Sequence, residues 1–300
     1  MARENYEEPR VLALLAATLA AQQPTLASWG VGSTGVRLVM NACESRCFFC
    51  ANPGVTNPPP SAITPWSELE RWLEENRSLR LRRLCLVGTE PARHPDFERL
   101  LERARDVGFE ELELMTSGLR LAEPGEAERW AERGVVTIAS PLYAEEAELH
   151  DQVVGHAAFE RTVAGLSSAR AAGIEVRVHT LALRRTLGRL PRLAAFVRER
   201  FGTRLALAPV RPKEQLFDYA REVPSWDALE AALDGEPDLS LVGFPLCLAP
   251  HVTRGAATSI ELYFRGQARR WLLECEPCAE RERCGGVLAA ELVAARVRPR

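Results

Sequence analysis

Short apolar strands alternate with amphipathic helices through the middle of the chain, from Gly35 to Pro212. Six runs rich in branched apolar residues recur about every thirty residues, which is the usual size of a strand–helix–strand step. Near-continuous apolar strands that alternate with helices indicate a parallel sheet covered by helices. The predicted strands are Val36–Met40, Leu84–Val87, Leu112–Thr116, Val135–Ser140, Ile174–Leu181 and Leu205–Val210.

Six strand–helix units are too few for a closed barrel of eight, which typically takes about 250 residues. The sequence therefore predicts an α/β fold, an open, partial (β/α)6 barrel of the TIM type, over residues 35–212. Residues 1–34 are predicted as an N-terminal extension that contains a helix at Val11–Ala21.

The alternation ends beyond Pro212, and residues 213–300 are predicted as a small C-terminal subdomain that is rich in cysteine and holds a metal. Ser225–Leu233 has the pattern of a capped helix. Thr258–Phe264 and Gln267–Leu273 flank a turn and are predicted as a hairpin.

Charge and hydropathy exclude two classes of protein. The net charge is −3 and the isoelectric point about 6.1, so no strongly basic surface is available for nucleic acid. The apolar run Val11–Ala21 is too short to span a bilayer, and Glu7 and Glu8 precede it where a signal peptide would be positive. We expect a cytoplasmic protein without membrane segments, whose reduced thiols are free to bind metal.

Three cysteines follow the first predicted strand with short gaps, at Cys43, Cys47 and Cys50. In a parallel barrel this is the rim where active sites are built. Such gaps let one loop wrap a compact iron–sulfur cluster, and three thiolates leave one iron of a four-iron cubane open. Phe48 and Phe49 would shield the cluster from water. A zinc site or three buried thiols are the alternatives.

The Cys-x3-Cys-x2-Cys run, with an aromatic residue before its last cysteine, resembles the radical S-adenosylmethionine (SAM) superfamily. Gly88-Thr89-Glu90-Pro91 after the second strand is similar to the family's Gly-Gly-Glu-Pro motif, which binds the amino group of SAM. Thr89 stands where the family has its second glycine. Glycine allows a close backbone approach, and Glu90 supplies the acceptor that a cationic amine needs.

Further similarities follow in chain order. Thr116-Ser117-Gly118 closes the third strand where the family often has Thr-Asn-Gly, and Ser140 ends the fourth strand where a family serine or threonine often meets the ribose. The stretch from His150 to Phe159 is similar to a segment before the fourth helix of many members. Ser117 and Ser140 are thereby implied to contact SAM, with ordinary strand-end polar residues as the alternative.

The resemblance implies an enzyme with a SAM-binding [4Fe-4S] cluster, over residues 35 to about 212. An electron from the cluster would cleave SAM to methionine and a 5′-deoxyadenosyl radical, which abstracts hydrogen from the substrate. Ferredoxin or flavodoxin is the implied kind of electron donor.

A second cysteine cluster, Cys275-x2-Cys278-x5-Cys284, lies near the end of the chain, and Cys247 precedes it. The spacing resembles the auxiliary-cluster region of the SPASM and twitch branch. Four cysteines imply at most one auxiliary iron–sulfur cluster there. A zinc knuckle would be satisfied equally well by four cysteines. Cys247 is either the fourth ligand or a buried core residue.

The same branch is rich in peptide maturases, so the implied substrate is a peptide or protein side chain. Residues 1–34 are too few to grip a leader peptide, so either a separate leader-peptide-binding protein delivers it or the substrate is a small-molecule metabolite. A non-enzymatic iron–sulfur electron carrier is a third hypothesis. Its cluster would need no open iron and no amine-binding Glu90.

Two further residues with reactive side chains lie inside predicted strands. Cys85, inside the second strand, is predicted to pack in the core. His179, inside the fifth strand, either faces the barrel lumen and contacts substrate or is a satisfied core histidine. Tyr143 lies just beyond the fourth strand, at the rim, and the sequence assigns it no role.

Overall fold

The computed structural model describes residues 34–40, 42–50, 62–210, 219–236, 238–252, 269–270, 273–282, 284 and 286–288. The helix predicted at Val11–Ala21 and the strand predicted at Thr258–Phe264 lie outside these residues. No helix in the described part of the chain is both long and apolar enough to cross a membrane.

Seven of the described strands form one parallel sheet, in which neighbours in the sheet are also neighbours in the chain. The first and last strands do not pair, so the sheet is an open, partial barrel, as predicted. The seventh strand was not predicted, because three residues are too few to show a periodicity. The strands are β1 (Thr34–Met40), β2 (Arg83–Gly88), β3 (Glu111–Met115), β4 (Val135–Pro141), β5 (Glu175–Leu181), β6 (Leu205–Ala208) and β7 (Leu239–Leu241).

Helices connect the strands, because parallel neighbours in a sheet need a crossover connection. The predicted helix at Ser225–Leu233 is confirmed, with the Ser225 side chain accepting a hydrogen bond from the Ala228 amide as its N-cap. The helices are α1 (Trp66–Leu79), α2 (Phe97–Asp106), α3 (Glu126–Glu132), α4 (Ala147–Val154), α5 (Phe159–Ala171), α6 (Leu190–Phe201), α7 (Tyr219–Glu222) and α8 (Trp226–Leu233).

The two faces of the sheet carry different side chains. On β5, Val176 and Val178 join the large core that packs between the sheet and the helices. Because side chains alternate along a strand, Arg177 and His179 point to the opposite, inner face. A separate, smaller cluster of Ala139, Ala208 and Val242 lies on that inner face, as do the other inner-face residues Met115, Leu181 and Ala206.

A second, two-stranded sheet lies in the C-terminal part. β8 (Arg269–Arg270) pairs antiparallel with β9 (Val287–Leu288). β8 falls inside the predicted hairpin strand Gln267–Leu273, and its partner in the described part of the chain is β9, close to Cys284 in sequence.

One close approach fixes α5 against the loop that follows β3. A Cβ atom at Gly165 would lie 2.1 Å from the carbonyl oxygen of Gly118 and 3.0 Å from the amide nitrogen of Ala122. The Thr162 hydroxyl, one turn earlier, donates to the Ser117 carbonyl at 3.1 Å. Only glycine at position 165 lets the helix hold this loop, which carries residues of the candidate site.

We expect Gly165→Ala to destabilise the protein, because the new methyl group meets backbone that cannot rotate away. Overpacking of this kind costs about 3 kcal/mol or more, which lowers the melting temperature by roughly 6–12 °C in a domain of this size. Gly188→Ala is the matched control, since a Cβ atom there meets nothing within 4 Å. Thermal unfolding followed by circular dichroism measures both, and equal melting temperatures would contradict the assigned contact.

Candidate active site at the carboxyl ends of the strands

The first cysteine cluster lies on the loop that leaves β1. Cys43 is buried, Cys47 and Cys50 are partly buried, and the Cys50 amide donates to the Cys47 carbonyl at 2.9 Å. Burial raises the pKa of the Cys43 thiol to about 12, with Glu90 adding to the effect. Burial and the charge of Cys50 do the same to the pKa of Cys47. A metal that binds these thiols must displace their protons.

Three thiols on one loop are the donor set that a four-iron cubane with one open iron requires. In the described part of the chain, no three His, Cys, Asp or Glu side chains converge as they would on one metal ion. A four-iron cubane makes a different demand, because each thiolate binds its own iron atom. The donor set, three cysteines on one short loop, fits that group.

Hydrogen bonds hold the cysteine loop against the end of α4. The Arg46 amide donates to the Val154 carbonyl at 2.8 Å, and the Ser45 hydroxyl lies 2.9 Å from Nε2 of His156. Gly155 has a φ of +79°, and a Cβ atom there would lie 3.0 Å from the Arg46 carbonyl oxygen. The segment from His150 to Phe159, which is similar to a segment before the fourth helix of many family members, therefore supports the cysteine loop. The Ser45–His156 contact was missed, because 111 residues separate the pair and no local pattern marks it.

An aromatic group covers the cysteine loop. The rings of Phe49 and Tyr143 meet edge to face, with centroids 5.5 Å apart, and Phe48 packs on Phe49 at 5.3 Å. The Arg185 guanidinium lies 4.0 Å above the Phe48 ring. Burial, with a smaller effect of the cysteine charges, raises the pKa of Tyr143, so its phenol stays protonated. Tyr143, unassigned from the sequence, is thus part of the cover over the thiols.

The end of β2 is tied to the end of β1. Gly88 has a φ of +140°, and a Cβ atom there would lie 2.5 Å from the Met40 carbonyl oxygen. The Thr89 amide donates to the same carbonyl at 3.3 Å, and the Thr89 hydroxyl donates to the Ala42 carbonyl at 2.6 Å. The residue that departs from the family motif therefore holds the start of the cysteine loop in place.

Glu90 is a buried carboxylate, only 3% exposed. One oxygen accepts from the Thr116 hydroxyl at 2.7 Å, and the other accepts from the Ser117 amide at 2.7 Å and from the Ser117 hydroxyl. Burial, followed by the charge of Glu44, raises the pKa of Glu90. Among the described residues, the groups that shift the pKa of Glu90 are Glu44, Thr116 and Ser117, none of which is a cation. A cationic ligand beside Glu90 would offset the cost of burying its charged form.

Ser140 lies at the end of β4 and is fully buried. Its hydroxyl has no hydrogen-bond partner in the described part of the chain. Buried hydroxyl groups in native proteins are normally paired, so Ser140 has a free site for a ligand oxygen or nitrogen. Glu90 and Ser140 together fit SAM, which offers an ammonium group and ribose hydroxyls.

Backbone contacts bring the second cysteine cluster to the turn that carries Cys247. The Leu246 amide and the Gly286 amide each donate to Sγ of Cys284 at 3.4 Å. The Cys278 amide donates to the Cys275 carbonyl at 3.2 Å. Amide donors to cysteine sulfur are one means by which proteins tune bound iron–sulfur clusters. Cys247 itself is partly buried against the main core.

Cys85, which is assigned to no metal site, is confirmed as a core residue. It is fully buried on the inner face of β2, together with Val36 and Val87.

Comparisons with known proteins agree with this geometry. The sequence profile of the Radical SAM superfamily matches residues 38–196. The chain is 29% identical over 150 residues to a GTP 3',8-cyclase from Rhodobacter capsulatus, covering 49% of this chain and 43% of that protein. It is 27% identical over 158 residues to an AdoMet-dependent heme synthase from Methanosarcina barkeri, covering 52% and 44%. The matches span less than half the length of these two relatives.

Solved structures share the fold. Streptococcus suis SuiB bound to S-adenosylmethionine aligns with a TM-score of 0.55 and 15% identity, over 78% of this chain and 54% of that one. Native anSMEcpe with bound AdoMet and Kp18Cys peptide aligns with a TM-score of 0.54 and 15% identity, over 66% and 57%. At these identities the likeness establishes the fold.

We expect Gly155→Ala to loosen the cysteine loop, because the added methyl group meets Arg46. Iron bound at this loop is then lost faster to a chelator than from the wild-type protein. Gly173→Ala is the control: its φ of +83° gives the same backbone strain, about 1–2 kcal/mol, but a Cβ atom there meets nothing within 4 Å. Iron release is followed by chelator absorbance, and equal rates in the two variants would show that Gly155 does not support the loop.

Proposed function

This chain belongs to the radical SAM superfamily, and we propose that it uses the 5′-deoxyadenosyl radical to abstract hydrogen from a peptide or protein side chain. Enzymes of this superfamily use a [4Fe-4S] cluster and SAM. The observation that carries the proposal is Glu90, a buried carboxyl group that no cation among the described residues pairs with, beside a loop of three cysteines.

Cys43, Cys47 and Cys50 would hold the SAM-binding [4Fe-4S] cluster. When bound, the cluster supplies the electron that cleaves SAM to methionine and the radical. Phe49 and Tyr143 exclude water from the thiols, which protects a reactive intermediate and lowers the local dielectric.

Glu90 would accept hydrogen bonds from the ammonium group of SAM, and Thr116 and Ser117 hold its carboxylate in one orientation. Ser140 would hydrogen-bond a ribose hydroxyl with its unpaired oxygen. The roles of Gly88 and Thr89 are to bring the backbone of β2 close to that of β1, so that Glu90 lies beside the cysteine loop.

We assign residues 213–300 an auxiliary iron–sulfur cluster of the SPASM or twitch type, with Cys247, Cys275, Cys278 and Cys284 as its ligands. The contact of the Leu246 amide with Sγ of Cys284 supports this assignment, because it joins the two parts of the ligand set. A zinc knuckle with the same four ligands is the alternative.

Two kinds of substrate are represented among the similar proteins. The structure of anSMEcpe with a bound peptide supports a peptide substrate. The GTP 3',8-cyclase similarity favours a small molecule as the second candidate. For a peptide, a separate leader-peptide-binding protein would deliver the substrate. In either case ferredoxin or flavodoxin would supply the electron.

We expect Glu90→Gln to weaken SAM binding about tenfold or more, because a charge-assisted hydrogen bond to the ammonium group becomes a neutral one. The first cluster still assembles, since Glu90 binds no iron. Glu126→Gln is the control, because this buried carboxylate is already paired with Arg120 and Arg129. Equilibrium dialysis of SAM measures both variants. An unchanged dissociation constant in Glu90→Gln would show that residues 88–91 form a turn at the end of β2 and do not bind SAM.

The wild-type protein, reconstituted without oxygen, is expected to hold about eight irons per chain, in two four-iron cubanes. We expect Cys284→Ala to retain about four irons and to release 5′-deoxyadenosine under dithionite, but to form no product. Cys47→Ala loses a ligand of the first cluster and releases no 5′-deoxyadenosine.

Metal analysis and chromatography of 5′-deoxyadenosine test these expectations, with circular dichroism as the check on folding. About four irons and one zinc per wild-type chain would show that the four C-terminal cysteines form a zinc knuckle.

A further inference from the structure

Ser45 lies between a ligand of the first cysteine cluster and a histidine outside that cluster. Its amide donates to Sγ of Cys43 at 3.4 Å, and its hydroxyl lies 2.9 Å from Nε2 of His156. Ser45 is buried. One serine therefore connects a histidine that is 111 residues away in the chain to a sulfur that we assign to the SAM-binding cluster.

The hydrogen bonds from Ser45 oppose surroundings that disfavour a negative charge on Cys43. Burial is the largest effect that raises the pKa of the Cys43 thiol, and the charges of Glu90 and Glu44 add to it. The amide and the hydroxyl of Ser45 lower the same pKa, because each donates a hydrogen bond to the sulfur. Both polar groups of Ser45 therefore stabilise the charged sulfur.

The Ser45 hydroxyl has one proton, so its two contacts run in opposite directions. Since it donates that proton to Sγ of Cys43, its oxygen accepts from His156, and Nε2 of His156 carries a hydrogen. The imidazole thus donates to the hydroxyl, and the hydroxyl donates to the sulfur. Hydrogen bonds in such a chain polarise and strengthen one another. We call this chain of hydrogen bonds the His156–Ser45–Cys43 relay.

Backbone groups hold the cysteine loop independently of the two side chains. The Arg46 amide donates to the Val154 carbonyl at 2.8 Å, and the Arg46 guanidinium donates to the Gly155 carbonyl at 3.1 Å. Gly155 ends α4 in the left-handed conformation, and His156 follows it directly. The contact of His156 with Ser45 is therefore not required to keep the loop in place, which leaves it available for another role.

We propose that His156 is a positioning residue that directs the Ser45 proton to the sulfur of Cys43 and thereby raises the reduction potential of the first cluster. Reduction adds negative charge to the cluster, and a hydrogen bond to a ligand sulfur stabilises that charge. Without His156 the hydroxyl can rotate to other acceptors. The inference rests on the proposed function, because it takes Cys43 as a cluster ligand, and it deepens that function by identifying residues that control the electron supply.

The test measures the midpoint potential of the first cluster in the anaerobically reconstituted holoenzyme without SAM. Electron paramagnetic resonance follows the reduced cluster during a redox titration at fixed pH, and the signal that is missing in Cys47→Ala belongs to the first cluster. We expect Ser45→Ala to lower the ratio of reduced to oxidised cluster at a given potential about fivefold, as the loss of one hydrogen bond implies. We expect a decrease of about threefold in His156→Ala and a smaller one in His156→Gln, whose amide can donate.

The double variant distinguishes the relay from two independent contacts. If His156 acts only through Ser45, Ser45→Ala combined with His156→Ala lowers the ratio about fivefold, as Ser45→Ala does alone. Independent effects would multiply to about fifteenfold. Gln152→Ala changes an exposed residue of α4 and is the control, with an unchanged potential expected.

An unchanged potential in Ser45→Ala or in His156→Ala would overturn the relay, and so would effects that multiply in the double variant. Iron analysis is made on every variant, with circular dichroism as the check on folding. A loss of iron from the first site, without a change in the potential of the cluster that remains, would also overturn the relay, because it would show that the pair only supports the loop.

SAM binding and 5′-deoxyadenosine release are measured on the same preparations. A wild-type protein without a signal that depends on Cys47, or without SAM binding, would defeat the proposed function. Normal SAM binding and cleavage with unchanged potentials in the Ser45 and His156 variants would defeat the relay alone.

Discussion

The parallel pairing of β1 with β2 is the constraint on which the candidate site depends. It puts the ends of both strands at one edge, where the cysteine loop and Glu90 begin. Gly88 lets the end of β2 lie close to the Met40 carbonyl at the end of β1, because any side chain at position 88 would force the two strand ends apart. Ligands that are distant in sequence thus meet because two strands run in the same direction.

The fold was predictable because each strand–helix step repeats the same pattern. The strand predicted at Val135–Ser140 differs from β4 by one residue, and Ile174–Leu181 differs from β5 by one. β7 was not predicted, because Leu239–Leu241 is too short to show a periodicity of apolar residues. Its place in the sheet is decided by tertiary pairing, with the Val242 amide donating to the Leu207 carbonyl at 2.9 Å.

The candidate site was predictable only where its residues stand close together in sequence. The cysteine spacing and Glu90 form local patterns. The bond of the Ser117 amide to Glu90 and the support of Ser45 by His156 join residues far apart, and no local signal marks either. Thr89 shows the limit most clearly: the sequence marks it only as a departure from the family motif, whereas in the structure its hydroxyl donates to the Ala42 carbonyl.

The two faces of the sheet contribute unequally to the stability of the fold. The helix-side face carries large apolar residues such as Leu86 and Leu114, both fully buried, and this packing provides most of the hydrophobic stabilisation. The inner face carries smaller apolar clusters, which include three alanines, Val36 and Val87, together with the Arg177 ion pairs and His179. Because most of the packing lies in the outer layer, the inner residues can differ in size and polarity at a smaller cost in stability.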